Sequence, residues 1–124
     1  MSPAILKRVR TRAFRIPMTG AFLSCQREDG KVVVHSLDFD IVAVSADEAT
    51  ALKKIRLAVK TYIEYGLSNN WTEDILFPAP AEHWDRFMNA PKSTLPPIDI
   101  EDDRMIVVHA TIGSNERCHA ACSA

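Results

Sequence analysis

The sequence has little glycine, four residues in 124. None is grouped ahead of a helical segment, so neither a phosphate-cradling loop nor a dinucleotide-binding turn is present. No serine stands in a Gly-x-Ser-x-Gly setting, which removes the nucleophile elbow of the α/β-hydrolases. Three cysteines, an odd number, make no disulfide framework, and reduced thiols in a cytoplasm are the simpler reading. No apolar run approaches the roughly 18–20 residues that cross a bilayer as a helix, so no membrane association is expected. The opening stretch MSPAILKRVRTRAFRIP is basic but lacks the continuous apolar core of a signal peptide. Charge of one sign is also missing overall. Fifteen Lys+Arg against sixteen Asp+Glu leave a net charge of −1, which does not mark a nucleic-acid binder.

What is present is a globular composition, 47% hydrophobic and 25% charged, in a length that accommodates one domain. The charge is unevenly distributed. Residues 1–27 carry six bases and no acid, whereas residues 28–124 carry nine bases and sixteen acids, so a +6 arm precedes a −7 body. Met18 stands just before the first strand-like run, and residues 4–16 show neither helical nor strand periodicity. The expected organisation is therefore a dispensable basic arm or mis-assigned start over 1–17, a single α+β domain over 18–112, and a flexible tail over 113–124.

Three β-rich runs follow Met18: Ala21–Cys25, Lys31–Leu37 and Phe39–Val44. Asp29-Gly30 between the first two is a hairpin signal, because a two-residue type I′ turn needs positive φ at both central positions. The third run follows closely enough to pair antiparallel with the second, which predicts a three-stranded meander. A helix over about 46–65 comes next. Ser45 is its expected N-cap, Glu48 completes a capping box, and Leu52, Ile55, Val59, Tyr62 and Ile63 form an apolar stripe. Lys53, Lys54, Arg56 and Lys60 fill much of the solvent side, and Gly66 is the expected C′ residue. Further along, Ala81–Met88 reads as a short helix with Trp84, Phe87 and Met88 inward. Pro91 to Pro97 reads as a linker, and Asp103–Ile112 as a fourth strand.

Two groupings have the residue types for chemistry. Cys118-His119-Ala120-Ala121-Cys122 places three metal-ligand types together, but a structural zinc site needs a fourth ligand, usually from a second cluster. Cys25, His35, His83 and His109 are isolated, so no metal or cofactor is expected. His35, Asp38 and Asp40 lie around one strand junction, and two carboxylates with an imidazole suit acid–base or metal-assisted hydrolysis. The plainer reading of these residues is a solvent-facing, partner-contacting surface.

The segments Gly30–Ala43 (GKVVVHSLDFDIVA) and Ser45–Leu52 (SADEATAL), with the helix continuing to Tyr62-Ile63-Glu64, resemble the HicB-like family. These are antitoxin-type small domains of bacterial toxin–antitoxin systems. The resemblance runs over residues 22–66, and more loosely to about 90. It implies a β-β-β-α-β domain similar to a truncated ribonuclease H fold, without that enzyme's carboxylate cluster. It also implies a non-enzymatic role, binding and inhibiting a small basic HicA-type ribonuclease. The chain departs from the family in one respect. Residues 67–124 show neither paired helices with a tight turn nor a basic recognition helix, so no DNA-binding domain is expected. Binding is expected to use a sheet edge with His35, Asp38, Asp40, Glu101, Asp102 and Asp103, and edge pairing is expected to give a homodimer. The alternative is a metal-dependent hydrolase or nuclease using His35, Asp38 and Asp40.

Overall fold

A computed structural model describes residues 18–69, 75–100 and 106–118. The arm over 1–17 lies outside them, as do Glu101, Asp102, Asp103 and His119 to Ala124.

The β-branched and alternating runs become β1 (Ala21–Gln26), β2 (Val32–Ser36) and β3 (Ile41–Ser45), with β1 pairing β2 and β2 pairing β3, both antiparallel. The β1–β2 turn differs from the expected two-residue form. Gly30 N–H donates to the Arg27 carbonyl and Arg27 N–H to the Lys31 carbonyl, closing a three-residue loop in which only Gly30 has positive φ. Such loops place one left-handed glycine after a tight turn, and this one leaves Asp29 free to accept the Lys31 N–H.

The long helix, α1, spans Glu48–Ser68. Its cap is Asp47, whose carboxylate accepts the Thr50 N–H at 2.7 Å; Ser45 instead closes β3. Glu48 does not complete a capping box, because its carboxylate accepts the Ser24 hydroxyl at 2.8 Å and ties the helix start to β1. Gly66 is not a C′ residue. It is buried inside the helix, which runs on to Ser68, while Asn69 caps the end by donating to the Tyr65 carbonyl. Ala51, Ile55, Val59, Ile63 and Leu67 recur at four-residue steps and are buried against Phe22, Val34, Ala110 and Ile112 of the sheet. Each large aliphatic side chain removed from water on this face contributes roughly 1.5–3 kcal/mol.

The expected linker is a strand. Lys92–Ile100 forms β4, paired antiparallel with β5 (Ile106–Arg117), and β5 runs parallel to β1. Pro96 and Pro97 are tolerated because β4 is an edge and its register shifts between Leu95 and Ile98. The result is α+β, a five-stranded mixed sheet in the order β3-β2-β1-β5-β4 with two helices. Arg56 and Lys60, expected on a purely solvated face, donate to the Pro97 and Asp99 carbonyls and hold β4 to the helix.

The second helix, α2 (Ala81–Asn89), covers the opposite sheet face. Phe87 packs with Ala21, Leu23 and Leu37, while Trp84 is half-buried. Met88 is 68% exposed, contrary to its expected inward position, whereas His83, one helical turn before Phe87, is buried. Nor is the chain a loose tail from 113. β5 continues to Arg117, and Cys118 is disulfide-bonded to Cys25 across 93 positions of sequence. The expectation of three reduced thiols is corrected accordingly. No described helix is long and apolar enough to cross a membrane.

Candidate functional site

The turn between β2 and β3, Leu37 to Asp40, holds two of the polar residues that the sequence singles out, Asp38 and Asp40, and His35 lies just before it in β2. Asp38 is only 5% exposed. One of its oxygens accepts the Thr19 N–H at 3.0 Å, and the other accepts the Gly20 and Ala21 N–H groups at 2.7 and 3.2 Å. Its own carbonyl accepts the Phe77 N–H, and the neighbouring Leu37 carbonyl accepts the Ala79 N–H. A carboxylate with three backbone donors is the strong, charge-assisted case of hydrogen bonding. Asp38 therefore joins the entry to β1, the β2–β3 turn and the segment leading into α2.

His35 is buried on the α2 side of β2. Its Nε2 lies 2.6 Å from an Asp40 oxygen, and its Nδ1 is buried with no hydrogen-bond partner. Asp40 is exposed and has φ of 55°, a left-handed conformation that aspartate tolerates better than most residues. The His83 ring meets the His35 ring edge to face at 4.8 Å, and Arg86 bonds His83 through its Nδ1. An arginine cannot accept, so it donates and His83 Nδ1 is unprotonated.

Burial holds the His83 pKa below its ordinary value of 6.5, and the nearby His35 and Arg86 act in the same direction. The folded state thus favours neutral His83. The unfolded chain binds the proton first as pH falls, so this contribution to stability is complete above pH 6.5 and is lost below it. Urea denaturation at pH 7.5 and 5.5 should show a lower midpoint at the lower pH. An unchanged or higher midpoint at pH 5.5 would remove this role from His83.

The candidates thus separate. His35 and Asp40 are in contact, Asp38 is bonded elsewhere through its carboxylate, and Glu101, Asp102 and Asp103 lie outside the described residues. Cys118 of the Cys118-His119-Cys122 grouping is in the disulfide, and His119 and Cys122 lie outside the described residues. Among the described residues no group of three or more His, Cys, Asp or Glu side chains is placed to hold a metal ion. Sequence reasoning passes over three contributors, Gly20, His83 and Arg86. The available signal is the four-residue step from His83 to Phe87, which places the histidine on the apolar stripe of α2.

The comparisons with known proteins then stand as follows. No protein-family model, no curated protein and no solved structure matches this chain.

Proposed function

We propose that this chain is a non-catalytic protein-binding module, a HicB-like antitoxin or a solitary relative, that inhibits a small basic HicA-type ribonuclease. The observation that carries this reading is the engagement of the candidate catalytic groups by the fold. Both oxygens of Asp38 accept backbone donors, and the imidazole of His35 is buried against Asp40 and His83. These groups build a rigid turn. Asp99 is exposed to a basic partner, Asp40 is exposed beside its contact with His35, and the acidic excess of residues 28–124 favours such a partner through long-range attraction.

The element order gives further support. Three consecutive antiparallel strands, a long helix and a strand returning beside β1 agree with the β-β-β-α-β arrangement similar to a truncated ribonuclease H fold. Here α2 and β4 are added ahead of the returning strand. The DNA-binding role of full-length antitoxins is not part of the proposal.

The hydrolase alternative has one favourable contact, His35 with Asp40 at 2.6 Å. It has less support because Asp38, its second carboxylate, is already bonded to three backbone donors.

The test is an RNA-cleavage assay with any small basic protein that a reading frame beside this chain's encodes, and the absence of such a frame counts against the reading. Cleavage should stop as the chain reaches one copy per ribonuclease, and the chain alone should leave RNA intact with or without divalent metal. Undiminished cleavage at excess chain, or metal-dependent cleavage by the chain itself that Asp40→Ala abolishes, would overturn the reading.

A further inference from the structure

Cys118, His119 and Cys122 place three metal-ligand types together in the sequence, and what they lack is a fourth. The fold supplies it. Parallel pairing of β5 beside β1 brings Cys118 to Cys25, 93 positions earlier, with the two Cα atoms 4.9 Å apart. Backbone holds this approach as well as sulfur, because the Cys118 N–H donates to the Gln26 carbonyl.

The surroundings of the pair are dry. Cys25 is 4% exposed and packs with Val33, Val44 and Cys118 in a small apolar cluster. This cluster is distinct from the one that Phe87 of α2 covers at the other end of β1. An apolar shell of this kind limits the access of water to metal–ligand bonds. The remaining histidines are placed elsewhere. His35 and His83 contact each other, and His109 lies toward the far end of β5 from Cys118. His119 is therefore the imidazole that the sequence places beside the cysteine pair. Cys122 follows Cys118 in the C-x3-C spacing common among zinc ligands.

We propose that Cys25, Cys118, His119 and Cys122 bind one zinc ion in the reduced chain, and that the Cys25–Cys118 disulfide is the oxidised form of the same site. Three thiolates and one imidazole are a closed tetrahedral set, so the metal is structural and not catalytic. Zinc–sulfur bonds of about 2.3 Å set two sulfurs about 3.8 Å apart, a separation that side-chain rotation opens between neighbouring cysteines. The chemistry balances with a phosphine as reductant. It cleaves the sulfur–sulfur bond, and water supplies the oxygen of the phosphine oxide and the protons of the two new thiols. Zinc then forms three bonds to sulfur and one to an imidazole nitrogen, and the three thiols release their protons. Either state ties the end of β5 to β1, by the metal when reduced and by the disulfide when oxidised. This inference does not rest on ribonuclease inhibition, and each can fail without the other.

Zinc titration of the full chain, read by competition with a chromophoric chelator, tests it. After phosphine reduction the chain should take up one zinc, and the disulfide-bonded chain should take up none at the same concentration. Cobalt in place of zinc should give the absorption of a tetrahedral thiolate complex. Cys122→Ser and His119→Ala leave the disulfide and the hydrophobic core untouched, and circular dichroism of the oxidised variants should match wild type. In the reduced chain each of these, and Cys25→Ser, should weaken zinc binding by about a hundredfold or more, because the affinity of a structural zinc is shared among four ligands. His109→Ala should bind zinc as the wild type does. A reduced wild-type chain that binds no zinc, unchanged binding in any of the three ligand variants, or zinc taken up by the disulfide-bonded chain would overturn the proposal.

Discussion

Replacing Asp38 with alanine is expected to lower the unfolding free energy by about 3–5 kcal/mol. The size of the loss follows from the three donors left behind. Thr19, Gly20 and Ala21 all direct N–H groups at the carboxylate, and two of these contacts are buried. An orphaned buried donor costs on the order of 1–3 kcal/mol. Asp38→Asn should fall between alanine and wild type. One amide oxygen still accepts, but the amide nitrogen turns a donor toward a backbone donor. Denaturant titration reads both losses as a shift in midpoint at unchanged slope. A loss below about 1 kcal/mol for Asp38→Ala would show that the turn is held by something else.

The second large effect is Gly20→Ala. Gly20 has φ of 65°, and a Cβ built there would lie 1.7 Å from the His109 carbonyl oxygen and 2.8 Å from its carbon. Both are main-chain atoms of β5, whose Thr111 N–H donates to the Gly20 carbonyl. The strand cannot step aside without breaking the parallel β1–β5 ladder. Left-handed backbone strain of about 1–2 kcal/mol adds to overpacking of about 1–3 kcal/mol, so a loss of about 2–5 kcal/mol is expected. Gly30→Ala supplies the comparison. Its φ is also positive, at 84°, but nothing lies within 4 Å of the added carbon. It should lose only the backbone share, about 1–2 kcal/mol. Equal losses at the two positions would contradict the steric account of Gly20.

These two positions also mark where sequence reading stops. The local signals are legible: Asp29-Gly30 turns the chain between β1 and β2, and the four-residue apolar steps from Ile55 to Ile63 define the buried face of α1. The cap of α1 is displaced by two residues, from Ser45 to Asp47, because Glu48 bonds Ser24 on β1, a tertiary contact that no capping pattern encodes. Pro91–Pro97 reads as a linker because proline interrupts ladders, yet an edge strand with a register shift accommodates it. Asp38 reads as a surface carboxylate, the usual place for aspartate. Its burial depends on donors 17–19 positions away. Cys25 and Cys118 are 93 positions apart, and only the parallel pairing of β5 beside β1 brings them together.

The same long-range pairings decide what the candidate site can do. His35, Asp38 and Asp40 are close in sequence and look like an acid–base set. The fold assigns Asp38 to the chain entry at 19–21 and stacks His35 on His83 of α2. The most direct measurement of the proposed role is calorimetric titration of the chain into a small basic HicA-type protein, sought among the reading frames beside its own. Saturable binding at one chain per ribonuclease, weakening as salt screens the acidic body, is the predicted result. Absence of saturable binding at low salt would contradict it.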